Sequence, residues 1–199
     1  MVDKYANFNN LSDFEKEGVD FRVILRRTKS NIAVVAPHGG SIEPGTSEIA
    51  DAIAGTDFAF YAFEGIKSSD NGDLHITSVN FDEPRCLELV RSSSWVMTIH
   101  GERGAQSIVY LGGRDEKFRI RLRSSLRDHG FNVRDHEDPR LQGRDRLNIC
   151  NRGTSRAGIQ LEISAGLRRR FFQSLTQYGR RHTTGDFDKF IDAVRAALR

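Results

Sequence analysis

His38, Glu43 and Glu48 lie among glycines and prolines in VVAPHGGSIEPGTSEIA, residues 34–50, directly after a run of apolar, strand-like residues. A second histidine, His100, closes the apolar run WVMTI and is also followed by glycine. Two histidines and one carboxylate are a common ligand set for a catalytic zinc, with one position left for water. The spacing suits that use. His38 and Glu43 share one loop, and His100 returns from a separate strand 62 residues later. Two carboxylates compete for the third place. Glu43 precedes Pro44 and stays on the loop beside His38. Glu48 falls in the first turn of a helix, where its charge suits the dipole and its side chain can cap Gly45. This division gives Glu43 to the metal and Glu48 to structure. A lone histidine at a strand end is usually structural. Two of them, each followed by glycine and each near a carboxylate, bring the structural and metal-binding readings level.

The elements that must position these residues alternate along the chain. FRVILRRTKSNIAVVAP reads as two strands around a turn at Thr28–Asn31, an opening hairpin. PGTSEIADAIAG reads as a short helix, with Pro44 near its start and Gly55 after its end. DFAFYAFEG is a strand, DEPRCLELVRS a helix, and SWVMTIHGE and SIVYLGG are further strands. Asp115–His129 reads as a helix, GFNVRDH and AGIQLEISAG as strands. The tail places Phe187, Phe190, Ile191, Val194 and Leu198 at helical spacing. Such alternation predicts an α/β fold, one domain over residues 1–199 with a mixed, mainly parallel sheet flanked by helices. Ligands in such sheets bind beyond the carboxyl ends of the strands. The residues collected there are His38, Glu64, His100, the Gly112–Gly113–Arg114 run and Glu162. Glycines after the histidines let the backbone bend sharply and leave room for a ligand.

Composition narrows the function classes. With 199 residues, 38% hydrophobic, the chain is long enough for a well-packed core. No apolar stretch has bilayer length, and the start MVDKYANFNN lacks a signal-peptide pattern. The expectation is a soluble, cytoplasmic monomer with no membrane partner; release by cell lysis would leave no mark on the sequence. Cys86 and Cys150 are too few for a disulfide framework or a thiolate zinc site, and both sit in apolar surroundings that read as buried. The formal charge of +3 and pI near 9.0 come from basic residues that are mostly arginine. That permits an anionic partner. Nucleic acid is disfavoured, because no helix-turn-helix or aromatic stacking motif is present. HExxH, GxSxG, GxGxxG and P-loop patterns are also absent. Arg168–Arg170 reads as a solvated charge run, His129, His136 and His182 as surface residues, and Glu64 as a partner for a ligating histidine or a polar strand end.

Taken in order, APHGGSIEPGTSEIA, FYAFEG, LHITS, IHG, LGGRD and NICNRG…GIQLEIS resemble the phage-type poly-γ-glutamate hydrolase family over roughly residues 36–168. The resemblance implies a zinc carboxypeptidase-like α/β fold with one zinc ion at the sheet edge. It implies His38, Glu43 and His100 as zinc ligands and Glu162 as the general base. Arg114 and Arg152 become candidates for holding substrate carboxylates, with Asn151 and His75 as further substrate-binding candidates. The implied reaction is hydrolysis of γ-glutamyl amides in an anionic glutamyl polymer. A related zinc amidohydrolase acting on another glutamyl or peptidoglycan-like amide would use the same residues.

Overall fold

The structure is a computed structural model, described here over residues 3–198. Seven strands form one sheet: β1 (Phe21–Arg26), β2 (Ile32–Gly40), β3 (Ala59–Gly65), β4 (Trp95–Glu102), β5 (Val109–Gly113), β6 (Val133–Arg134) and β7 (Ile159–Ser164). Their order is β1-β3-β2-β4-β7-β5-β6. The four central strands, β3, β2, β4 and β7, are parallel, while β1 and β5 run against their neighbours β3 and β7. Among the described residues six α-helices accompany the sheet, α1 (Phe8–Ser12), α2 (Thr46–Ala54), α3 (Pro84–Ser92), α4 (Glu116–Asp128), α5 (Ala165–Phe171) and α6 (Gly185–Leu198), with short 3-10 turns between elements.

The fold is therefore α/β and mixed, as the alternation predicts, but its antiparallel part arises differently. The opening strands do not form a hairpin, because β3 is inserted between β1 and β2. The burial of β2 explains this. Val34 and Ala36 enter one core and Ala33 and Val35 the other, so this strand is covered on both faces and takes a parallel partner on each side. β1 is relegated to the outer edge of β3.

Helices α2, α4 and α6 cover one face through Ile49, Leu122 and Phe190 among others, and α3 covers the other through Cys86, Leu89 and Val90. The crossover from β2 to β3 thus lies on one face and that from β3 to β4 on the other. The strand order reverses between β2 and β4, which makes the crevice beyond their carboxyl ends the natural ligand site. The β2–β4 ladder stops at Val35↔Thr98, and the β2–β3 register slips between Ala36 and Gly39. Such a slip bends a strand and re-aims its side chains, and it accommodates Pro37, which has no N–H for a ladder. His38 lies in this irregular stretch. Among the described residues no helix is long and apolar enough to cross a membrane.

Candidate metal centre

His38 and His100 are almost completely buried, and their Nδ1 atoms face each other at 3.1 Å. Each ring is held from behind. His38 Nε2 lies 2.8 Å from the carbonyl of Ile76, and His100 Nε2 lies 3.2 Å from Ser78 Oγ. The Ile76 carbonyl accepts only, so its partner nitrogen carries a proton, and a neutral His38 ring would offer its Nδ1 lone pair to a metal. Outer hydrogen bonds of this kind fix the tautomer of metal-binding imidazoles.

Glu43 closes the group. Its Oε1 is 3.3 Å from His38 Nδ1, and its Oε2 is 3.7 Å from His100 Nδ1. The backbone N–H of Gly101 donates to Oε2 at 2.7 Å. The loop is tied as well: the Glu43 N–H donates to the His38 carbonyl, and Thr46 Oγ1 donates to the Glu43 carbonyl. Burial alone raises the Glu43 pKa, but the charges and hydrogen bonds of His38 and His100 outweigh it and hold the carboxyl well below its usual range. The Nδ1 separation is close to the span of two nitrogens each about 2.0–2.1 Å from one ion, and the two imidazoles and one carboxylate are donors that zinc accepts.

A fourth donor stands beside these three. His38, Glu43 and His75 also form a group whose ligand atoms lie within 4.8 Å of one another. The His75 ring packs on that of His38 with centroids 3.9 Å apart, and its Nε2 is 3.8 Å from Glu43 Oε1. Its Nδ1 is taken by Asp3 Oδ1 at 2.7 Å. The His38 charge, with burial, lowers the His75 pKa to about 4 against the opposing pull of Glu43 and Asp3. His100 Nδ1 lies 3.1 Å from His38 and 3.7 Å from Glu43, and His75 Nε2 lies 3.8 Å from Glu43, so both histidines stand beside the His38–Glu43 pair. His75 forms the more open wall of the site.

Glu162 is opposite His100 in the β4–β7 register, on the same face of the sheet. Burial, then Glu43 and Glu102, push its pKa well above the usual carboxylate range, against Arg168 and a hydrogen bond from Gln160. Gln160 Nε2 donates to Glu162 Oε1 at 2.9 Å, while Gln160 Oε1 accepts from Asn148 Nδ2 at 2.8 Å. A buried amide chain therefore aims the carboxylate.

Several sequence expectations need correction. Glu48 does not cap Gly45, which has no side-chain cap; it accepts from Arg180 Nε instead. Glu64 is no partner of a histidine; it pairs with Arg22 across the β1–β3 ladder. Arg114 is not delivered to the site edge. Because β5 is antiparallel, Gly113 stands level with Ile159 at the start of β7, whereas Glu162 is level with Tyr110. Arg152 is brought near the site, but its guanidinium is occupied by the carbonyls of Leu147, Phe81 and Val79. It thus pins the segment that carries Ile76 and Ser78. Asn151 is buried and satisfied by Gly143, Asp145 and Gly158. The space beside Gly101 is filled by protein rather than left for a ligand, since a Cβ there would meet Arg168 Cζ at 2.7 Å and Glu43 Cβ at 2.9 Å.

Arg168 is the largest surprise, because the arginine run is not solvated. Arg168 is 4% exposed and donates to the carbonyls of Ile163, Pro44 and Glu102. It staples β7, the loop carrying Glu43 and the end of β4. Nothing in the sequence marks Asp3 or Ser78 as neighbours of these groups, and Arg168 reads there as solvated. Gln160 leaves a signal, as a polar residue two positions before Glu162 in an otherwise apolar strand.

Residues 5–193 match the family model for poly-gamma-glutamate hydrolase. The chain belongs to the poly-γ-glutamate hydrolase family. Among known proteins it is 37% identical to the SPbeta prophage-derived protein YoqZ of Bacillus subtilis over 183 residues, 92% of this chain and 66% of that protein. It therefore spans slightly less than two thirds of that relative. It is also 37% identical to protein YndL of Bacillus subtilis over 199 residues, covering 99% of this chain and 78% of YndL. Among solved structures, a bacteriophage poly-gamma-glutamate hydrolase superposes with a TM-score of 0.95 at 30% identity, over 99% of this chain and 97% of that one. A zinc-free apo form of YndL superposes with a TM-score of 0.93 at 33% identity, over 99% and 98% of the two chains.

Proposed function

We propose that the chain is a zinc-dependent hydrolase that cuts γ-glutamyl amide bonds of poly-γ-glutamate. The observation that carries this reading is the convergence of His38 Nδ1, His100 Nδ1 and the Glu43 carboxylate on one point, with Glu162 beside His100 in the neighbouring strand. Family membership supplies the substrate class, and the zinc-free apo form of YndL agrees with zinc as the ion in that relative.

A zinc ion at this point supplies Lewis acidity to the scissile carbonyl and makes a water molecule easier to deprotonate. The chain's residues do the rest. His38, Glu43 and His100 hold the ion in a pocket whose tautomers are set by Ile76 and Ser78. Glu162 takes a proton from the attacking water and passes it to the leaving nitrogen, as a general base and then a general acid. Its raised pKa suits a group that must hold that proton during the reaction. Gln160 holds one of the Glu162 oxygens in place by a hydrogen bond.

Chain-length analysis of poly-γ-glutamate after incubation tests the reading. The zinc-loaded protein shortens the polymer and the chelator-stripped protein does not. Equal shortening by both forms rules out the metal mechanism, and no shortening by a zinc-loaded chain rules out the substrate.

A further inference from the structure

The register of the sheet extends the site beyond the groups used so far. His100 pairs with Glu162, Glu162 with Tyr110, and Tyr110 with Arg134. Partners in a ladder share a face, so the four side chains form one row across β4, β7, β5 and β6. Their neighbours Ile99, Leu161, Val109 and Val133 all enter the core on the opposite face. With strands about 4.8 Å apart, the row runs about 14 Å from the metal group to the sheet edge.

The outer half of the row has unused donors. The Tyr110 hydroxyl makes no hydrogen bond among the described residues, and Arg134 makes no ion pair there. Arg134 is exposed and touches only Asn132 Oδ1 through Nε, at 3.4 Å. His136 packs its ring on Tyr110 with centroids 4.7 Å apart, and its Nδ1 accepts from the Asp138 N–H, which leaves Nε2 as an open donor. Glu102 and Glu137 also act on the Tyr110 phenol, against Arg134. They are acceptors, and Glu102 Oε2 is a buried oxygen with no partner among the described residues.

A γ-linked glutamyl chain presents this pattern in mirror image. Each Cα carries both an α-carboxylate and an amide nitrogen, and successive Cα atoms are about 6 Å apart when extended. With the scissile bond at His100 and Glu162, the next Cα reaches Tyr110 and the head of Arg134.

We propose that Tyr110 and Arg134 form a specificity subsite that binds the α-carboxylate of the glutamyl residue flanking the scissile bond, on the β6 side of the metal centre. This rests on the poly-γ-glutamate reading above. Arg134 reads the carboxylate by a charge-assisted pair and Tyr110 donates a second hydrogen bond. Glu102 accepts from the N–H on the same carbon. Neither Tyr110 nor Arg134 moves a proton in the reaction; they choose and align the substrate.

The test is binding of tetra-γ-glutamate, measured by calorimetry on the zinc-loaded Glu162→Gln chain, which holds the oligomer without consuming it. Arg134→Gln weakens binding about tenfold, Tyr110→Phe by a smaller factor, and Arg134→Lys by less than Arg134→Gln. The same oligomer with its α-carboxylates converted to carboxamides binds more weakly to the parent and equally to parent and Arg134→Gln. The proposal is overturned if Arg134→Gln binds the acid oligomer as well as the parent does, if acid and amide bind alike, or if no binding is seen. The two readings fail separately. Carboxylate-dependent binding by a wild-type chain that leaves the polymer uncut keeps the subsite and removes the hydrolase function. Cutting with affinity indifferent to Arg134 does the reverse.

Discussion

The sheet face that carries the site is built in two unlike halves. Over β1, β3 and β2 it is apolar: Phe21, Phe63, Tyr61 and Phe81 pack edge to face and in stacks with Phe8. Over β4, β7 and β5 the same face carries Thr98, His100, Gln160, Glu162 and Tyr110. The first half is made of groups that need nothing but neighbours. The second is made of polar groups, two of which find partners on distant segments, His100 at Ser78 and Gln160 at Asn148, while the Tyr110 hydroxyl stays open. His38 sits on the seam, packed against Phe81 on one side and facing His100 on the other. The lesson is that stability is concentrated on one side of the seam and chemistry on the other, so substitutions in the two halves should separate the two properties.

The largest effect lies in the polar half. Glu162→Gln is expected to cut turnover of poly-γ-glutamate about 10²–10⁴-fold with zinc binding kept, measured as rate against bound metal. Next, in the apolar half, Phe63→Ala removes a fully buried ring and is expected to cost about 3–5 kcal/mol in chemical denaturation. Gln160→Ala sharpens the contrast: turnover falls while stability drops by about 1–3 kcal/mol, the cost of unpaired groups around it, read in the same two assays. The smallest effect is a gain. In the metal-free chain Glu162 is a buried carboxyl pressed by Glu43 and Glu102, so Glu162→Gln should raise the melting temperature by about 2–4 °C near neutral pH. Its folded pKa lies above the unfolded value, so the glutamate is tolerated below the unfolded pKa and destabilises as pH rises toward the folded one. The gain should therefore vanish below about pH 4 and grow upward from there, followed by thermal melts across pH. A melting temperature unmoved at neutral pH would show that the polar half carries no such cost.

How much of this was legible in the sequence depends on how local the signal is. Strand ends announce themselves, because an apolar run followed by glycine or proline is a local pattern; His38, Glu43 and His100 were found that way, and the structure brings all three together. Strand direction is not local. Arg114 follows β5 as plainly as His100 follows β4, but β5 runs the other way, and nothing in VYLGG records that. Pairing order is hidden for the same reason, so the opening strands read as a hairpin although β3 separates them. Partners far along the chain are invisible as well. Arg152 reads as a free fork until the carbonyls of Val79 and Phe81, more than 70 residues away, are seen to occupy it. Arg168 looks solvated among arginines until Pro44, 124 residues away, arrives beside it.

The seam can be tested most directly by zinc binding. Competition titration with a chromophoric chelator would compare the wild-type chain with His100→Ala and His75→Ala. The account predicts one ion per wild-type chain, severe loss of affinity in His100→Ala, and near wild-type affinity in His75→Ala. Tight binding retained by His100→Ala and lost by His75→Ala would contradict it, and would move the ion off the β2–β4 crevice toward the wall formed by His75.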